Sequence, residues 1–158
     1  NVMAAALADD ELKITRLFDA PPELVFELWS SPEHLRNWMG PDGFDCPVAE
    51  VDFRVGGKYR ALIRSPESGD SWFGGVYREI RPNSRLAFTF AWDAGPSAGV
   101  ETLITIDFAS LRGKTAMTFH QTPFRSVEAR DRHVGGWTSS FDKAAGYIQH
   151  LEQQERAS

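Results

Sequence analysis

The chain has 158 residues and a formal net charge of −5 at pH 7, and this length is typical of a single domain. The acidic balance and the lack of a Lys- or Arg-rich run argue against nucleic-acid and membrane partners, since clustered cations are what bind phosphate groups. The single cysteine, Cys46, cannot form an internal disulfide, and the apolar start "NVMAAALADD" is too short for a signal peptide, so we expect a cytoplasmic protein without a membrane span.

The first predicted elements are a strand, "LKITRLF", and two short helices. In "DAPPELVFELW", Asp19 is a candidate N-cap, and Pro21 or Pro22 fits the first turn because the N–H that proline lacks is unpaired there anyway. In "SPEHLRNWM", Ser31 is the candidate cap and Pro32 fits the first helical position.

The sequence from these helices to residue 123 is predicted to form strands. Links rich in glycine, proline and asparagine, such as "PESGD", "RPNS" and "LRGK", separate the segments, and links this short favour antiparallel neighbours. The predicted strands are 45–54, 58–65, 71–81, 85–92, 100–109 and 114–122.

Alternation along these strands predicts one apolar face. In "RLAFTFAW", Phe88, Phe90 and Trp92 share a side, and in "KTAMTFH", Met117 and Phe119 do so, because successive side chains of a strand point to opposite faces. The chain contains 11 Phe and 5 Trp, so this face of the sheet is expected to be aromatic and to need a cover.

The predicted cover is an amphipathic helix over 129–154. Trp137 and Phe141 lie on its apolar stripe, so they should point at the aromatic strands. Gly135 and Gly136 occur in the same stripe, although each weakens a helix by about 1 kcal/mol relative to Ala. These glycines either let the backbone approach the rim of the sheet or leave room beside the aromatic rings.

Four segments in this order resemble one family: "APPELVFELWSSPEHLRNWMGP", "DFRVGG", "GVYREIRPNSRLAFTF" and "GGWTSSFDKAAGYIQHL". With the order of elements, they resemble the helix-grip fold of the START-like (Bet v-like, SRPBCC) superfamily, in the AHSA-like branch named after the activator of Hsp90 ATPase. The resemblance implies an α+β fold: a curved antiparallel sheet of six to seven strands around a long C-terminal helix, with two short helices after the first strand. We expect a single domain over 12–153 with flexible termini over 1–11 and 154–158.

The resemblance also implies a hydrophobic cavity between the sheet and the long helix. Families with this fold include lipid and sterol carriers, aromatic polyketide cyclases, antibiotic self-resistance proteins and co-chaperone domains, and a fold alone does not fix a function. The co-chaperones of the branch carry an additional amino-terminal domain, for which this chain has no room, so we expect no chaperone partner.

A small-molecule pocket needs roughly 300–1,000 Å³ lined mostly by apolar and aromatic groups. Trp92, Trp137 and Tyr59 each carry a polar atom that either orients a ligand or bonds to a backbone carbonyl. For each predicted wall residue, the alternative is simple packing in a filled core. The predicted walls are Trp38, Tyr59, Phe88, Phe90, Trp92, Met117, Phe119, Trp137 and Phe141.

The histidines, at 34, 120, 133 and 150, show no metal-ligand spacing with each other or with Cys46, so no metal is expected. By parity, His120 lies on the outer face of its strand. His133 lies one turn before the pair of large rings on the last helix, where we expect a solvated helix residue rather than one at a pocket mouth.

Two short motifs resemble chemical sites. "GPSAG" matches the G-x-S-x-G nucleophile elbow, but strands flank Ser97 on both sides, so we expect a hairpin loop without a catalytic serine. In "DFRVGG", Asp52 and Arg54 are expected to form a surface ion pair beside a Gly-Gly turn. Glu50 lies on the same strand face as Asp52, an arrangement that is compatible with a carboxylate pair.

The sequence therefore predicts a binding module that holds a small hydrophobic or aromatic molecule under its last helix, with no cofactor and no catalytic residue. The first alternative is a cyclase-like or hydrolytic enzyme that uses His120, Glu50 or Tyr59 in the same cavity. The second is a co-chaperone-type interaction module, which needs a contiguous exposed apolar patch. A homodimer is compatible with the fold.

Overall fold

A computed structural model describes residues 2–5 and 9–157 of the chain. All of the predicted elements occur in the predicted order. Within the described residues, the elements are β1 (Val2–Ala5), β2 (Leu12–Phe18), α1 (Pro22–Ser30), α2 (Pro32–Trp38), β3 (Asp45–Val51), β4 (Lys58–Ser65), β5 (Gly69–Arg81), β6 (Arg85–Trp92), β7 (Thr102–Leu111), β8 (Lys114–Thr122) and α3 (Val127–Ala157).

The strands form one antiparallel sheet in the order β1-β2-β8-β7-β6-β5-β4-β3. Strands β2 to β8 are the predicted ones, and with the three helices they confirm the helix-grip architecture. The additional strand, β1, falls within the segment predicted to be a flexible terminus and pairs with β2, with Val2 opposite Arg16. This pairing satisfies backbone groups of β2 that an open sheet edge would expose. At the other end, α3 continues to Ala157, while residues 1, 6–8 and 158 lie outside the described residues.

The two short helices begin with proline, as predicted. Pro22 is the first residue of α1, but the N-cap position falls on Pro21 and no side chain caps the helix. The predicted Asp19 cap is therefore wrong, because Asp19 lies two residues before the capping position. Ser31 caps α2, with its hydroxyl oxygen accepting the His34 backbone N–H at 3.3 Å.

The sheet bends where β5 carries Gly75. A Cβ on Gly75 would lie 1.9 Å from the Thr89 carbonyl oxygen, so no larger residue fits at this position. The Val76 N–H donates to the Thr89 hydroxyl at 2.9 Å, and the pairing register between β5 and β6 shifts between Tyr77 and Glu79. Such a bulge increases strand twist, which curves the sheet around the helix.

The helix α3 covers the aromatic face of the sheet, which confirms the prediction. The ring centroids of Trp137 and Phe141 lie 4.8 Å and 5.4 Å from that of Phe119 on β8. An ion pair also ties α3 to the sheet, since Nη1 of the buried Arg16 donates to Oδ1 of Asp142 at 2.6 Å.

Candidate functional site

A pocket of about 320 Å³ lies at one end of the space between α3 and the sheet. Its walls come from the first turns of α3, from β4, β5 and β6 with the loop that follows β6, and from the loop between α2 and β3. The large apolar surfaces belong to Met39, Phe44, Ile63, Phe73, Phe90, Trp92 and Trp137.

The pocket explains the small residues at the start of the last helix. Gly136 and Ser140, one turn apart on α3, both line it. A Cβ on Gly136 would meet no atom within 4 Å outside the backbone of its own helical turn. The glycine therefore leaves room beside the rings, and it does not serve a close approach of the backbone to the sheet.

One wall of the pocket contains a histidine whose tautomer is fixed by two hydrogen bonds. Nδ1 of His133 lies 2.6 Å from the carbonyl oxygen of Ala129, which can only accept, so Nδ1 carries the proton. The Trp92 indole N–H donates to Nε2 of His133 at 2.9 Å, so Nε2 is unprotonated. The expectation that His133 is a solvated helix residue is therefore wrong.

The surroundings of His133 favour the neutral ring. Burial lowers the pKa of His133, and the positive charge of Arg132 acts in the same direction, against the hydrogen bond to the Ala129 carbonyl. A protonated Nε2 would also meet the Trp92 N–H without an acceptor between them. The indole of Trp92 is therefore held in place by a neutral imidazole.

A second indole is held by a buried polar chain behind the pocket. The Trp137 N–H donates to Oε1 of Gln121 at 2.8 Å, and Nε2 of Gln121 donates to the Thr102 hydroxyl at 2.8 Å. The Thr102 hydroxyl in turn donates to the Phe90 carbonyl at 3.1 Å. Gln121 is fully buried, and the sequence analysis missed it. The signal was the parity of β8, because an outward His120 implies an inward Gln121.

The centre of the cleft is filled by aromatic rings. Trp29 of α1 is 5% exposed, and its ring centroid lies 4.7 Å from that of Trp38 and 6.1 Å from those of Phe119 and Phe141. A void of about 20 Å³ remains beside Trp29, which has room for about one water molecule. The space for a ligand is therefore at the end of α3 and not under its middle.

The nine predicted wall residues divide between the pocket and this filled centre. Phe90, Trp92 and Trp137 line the pocket. Burial raises the pKa of Tyr59 well above its usual range, and its hydroxyl donates to the Thr89 carbonyl at 2.7 Å. The residues that pack away from the pocket are Trp38, Tyr59, Phe88, Met117, Phe119 and Phe141. Their placement follows the core-packing alternative.

The polar candidates on the outer face are engaged in surface contacts. Nε2 of His120 lies 2.8 Å from a carboxylate oxygen of Glu11, and the outward position of His120 confirms the parity argument. Glu50 is exposed. Nε of Arg54 donates to the Asp52 carboxylate at 2.9 Å, and both side chains are exposed, which confirms the predicted surface ion pair.

Ser97 lies in the loop between β6 and β7. The loop has a strand on each side, so the strand-to-helix turn of a nucleophile elbow is missing at this position, as predicted. Ser97 does line the pocket, together with His133. However, the Trp92 and Ala129 hydrogen bonds occupy both ring nitrogens of that histidine, so its imidazole has no nitrogen available to deprotonate a serine.

Two further properties bear on cofactors and membranes. Among residues 2–5 and 9–157, no three His, Cys, Asp or Glu side chains come together as metal ligands. No helix in the same part of the chain combines the length and apolar character needed to cross a bilayer. Burial raises the pKa of the Cys46 thiol to about 11, so the reactive thiolate form is scarce at pH 7.

The sequence analysis missed several pocket residues. Phe73 pairs with Trp92 in the sheet register, so the alternation of β5 was an available signal. Met39 and Phe44 lie in a loop, where no periodicity indicates a direction. Arg132 precedes His133 at the start of α3, and its place at the pocket depends on how the helix is rotated against the sheet.

A curved antiparallel sheet around a long C-terminal helix, with two short helices after β2, defines a START-like protein of the helix-grip class. Within this class, residues 19–149 match the family model described as "Activator of Hsp90 ATPase homolog 1-like protein". The chain belongs to this family.

Solved structures share the fold. A protein from Chromobacterium violaceum is 29% identical over 87% of this chain and 96% of its own, with a TM-score of 0.78. An AHSA1 protein from Silicibacter pomeroyi is 24% identical over 89% and 99%, with a TM-score of 0.77. A protein from Rhodobacter sphaeroides is 21% identical over 96% and 99%, with a TM-score of 0.81. A search of curated proteins finds no match to the chain.

Proposed function

We propose that the protein binds a small hydrophobic or aromatic molecule in the pocket at the start of α3. The observation that carries this proposal is the aromatic lining of a space of about 320 Å³ that Gly136 leaves open. This volume is at the lower end of the range for small-molecule sites, roughly 300–1,000 Å³. A ligand with one or two rings matches such a space.

The two indoles of the pocket support the proposal because they are rigid. Trp92 is fixed by its bond to His133, and Trp137 by its bond to Gln121. Since both N–H groups already have acceptors, the rings offer apolar surface to a ligand. Walls that are ordered before binding lose little conformational entropy when a ligand arrives, which favours affinity.

The alternatives have less support. Of the predicted catalytic candidates, His120 and Glu50 lie on the outer face, and the Tyr59 hydroxyl is bonded to a backbone carbonyl. For a co-chaperone-type surface, the exposed large apolar residues include Leu103 and Leu111, which lie at opposite ends of β7 and form no common patch with each other. The homodimer and the cytoplasmic location stay predictions.

A pair of glycine variants tests the proposal. Gly136→Leu places a side chain in the pocket, while Gly135→Leu places the same side chain at an exposed position one residue away. Both changes replace a helical glycine, so both gain about the same helix propensity, roughly 1 kcal/mol. Titration with the neutral fluorescent probe N-phenyl-1-naphthylamine then reports occupancy of the pocket.

We expect the wild type and Gly135→Leu to bind the probe alike and Gly136→Leu to bind it at least about 10-fold more weakly, since one blocked contact surface of this size is worth over 1.4 kcal/mol. Equal binding by the two variants would contradict the proposal, as would a wild type that does not bind. Native mass spectrometry of the freshly purified protein would identify a ligand that copurifies.

A further inference from the structure

We infer that the ligand of this pocket carries an anionic group, such as a carboxylate, which pairs with Arg132 at the pocket rim. The inference rests on the proposed function, because it names the chemical class of ligand for the same site. It is carried by the charges around the pocket and their partners.

Arg132 is exposed and lines the pocket. Within the described parts of the chain, no carboxylate lies at ion-pair distance from its guanidinium. Other arginines do have such a partner: Arg60 Nη2 lies 2.8 Å from Asp93, and Arg64 Nε lies 2.6 Å from Asp70. Arg132 therefore presents a cation that the protein itself leaves uncompensated.

The lining of the pocket has the opposite charge balance from the whole protein. The chain has a net charge of −5, yet the lining residues in the described part of the chain include Arg132 and neither Asp nor Glu. A second cation lies beside the rim, where Nη1 of Arg125 donates to the Pro96 carbonyl at 2.8 Å. A neutral His133 next to Arg132 adds no repelling charge. An anion is therefore attracted to this end of the molecule.

The geometry matches an amphipathic anion with an aromatic body. The body would contact the rings of Phe90, Trp92 and Trp137, and the anionic group would face Arg132 at the opening. A planar guanidinium forms two parallel hydrogen bonds with a carboxylate. Ser97, which also lines the pocket, adds a hydroxyl donor on the loop after β6.

A matched pair of compounds tests the inference. 2-Naphthoate and 2-naphthamide have the same ring system and nearly the same shape, and only the first is charged at pH 7.5. Isothermal titration calorimetry would measure both with the wild type, with Arg132→Gln and with Arg78→Gln. Arg78 is an exposed arginine that does not line the pocket, so its variant controls for the change in net charge.

The wild type should bind 2-naphthoate about 3- to 10-fold more tightly than 2-naphthamide, the range expected for an ion pair at a partly solvated rim. Arg132→Gln should remove this difference and leave the affinity for the amide unchanged, whereas Arg78→Gln should keep it. Raising the salt concentration from 50 to 500 mM, chosen to shorten the screening length, should weaken only the binding of the naphthoate.

The two proposals fail differently. If the wild type binds both compounds equally, or if the preference for naphthoate survives Arg132→Gln, the inference about the anion is overturned and the apolar pocket stands. If the wild type binds neither compound, the proposed function fails and the inference fails with it.

Discussion

Replacing Trp137 by Phe tests whether the buried polar chain behind the pocket acts as one unit. The change keeps an aromatic ring but removes the N–H that Oε1 of Gln121 accepts at 2.8 Å. A buried acceptor without a partner costs about 1–3 kcal/mol, and the smaller ring costs about 1 kcal/mol more in lost packing. We expect Trp137→Phe to lower the free energy of unfolding by about 2–4 kcal/mol.

The reciprocal variant breaks the chain from the other side. Gln121→Met leaves the Trp137 N–H without an acceptor, while the Thr102 hydroxyl keeps its bond to the Phe90 carbonyl, so about 1–3 kcal/mol should be lost. The double variant contains neither polar partner. Its loss should therefore be smaller than the sum of the two single losses, by about 1–2 kcal/mol.

Urea unfolding followed by far-ultraviolet circular dichroism measures these differences without relying on the fluorescence of the tryptophan that is changed. The control pairs Trp137→Phe with Ser31→Ala, whose site is the cap of α2 and is not in the polar chain, so those two losses should add. If the losses of Trp137→Phe and Gln121→Met add in the same way, the reasoning is refuted. In that case the hydrogen bond contributes nothing beyond its separate parts.

Three further predictions concern single contacts. His133→Gln should flatten the dependence of stability on pH: the folded-state pKa of His133 is lowered, so its contribution is complete above about pH 6.5 and is lost, by at most about 1.4 kcal/mol per pH unit, as the pH falls through the folded pKa. Urea titrations at pH 7.5 and 5.5 check this, and equal slopes for variant and wild type would contradict it. Asp142→Asn should cost about 1–3 kcal/mol because it leaves the buried Arg16 guanidinium without its anion, and Arg16→Met should cost less; thermal unfolding in the reverse order would count against this. Ser31→Ala should cost about 1 kcal/mol and lower Tm by about 2–4 °C, and an unchanged Tm would show that the cap is not needed.

The fold was predictable because its signals are local and periodic. The alternation in "RLAFTFAW" and "KTAMTFH" fixes the buried face of β6 and β8, and the apolar stripe with Trp137 and Phe141 identifies the covering helix. Each signal depends on the geometry of one element. The strand β1 escaped prediction because its sequence, "VMAA", is too short and too uniform to alternate. Its pairing with β2 is a tertiary event.

The site was harder to predict because parity gives the face of a residue and not its distance from an opening. Phe88 and Phe90 share one face of β6, yet Phe90 lines the pocket and Phe88 lies within ring contact of Trp29. That contact comes from α1, whose rotation no strand pattern determines. The loop residues Met39 and Phe44 have no periodicity at all. Only the glycine at 136, which costs helix stability, marked the position of the pocket in the sequence.

The filling of the cleft by Trp29 separates two duties that many ligand-binding folds combine. The rings around Trp29 hold α1 and α3 to the sheet, whereas part of the pocket wall is the segment Ala94–Ser97 of a surface loop. Replacements in that segment can reshape what the pocket accepts while the interior contacts persist. Selectivity is thus free to drift among relatives without a matching loss of thermal robustness.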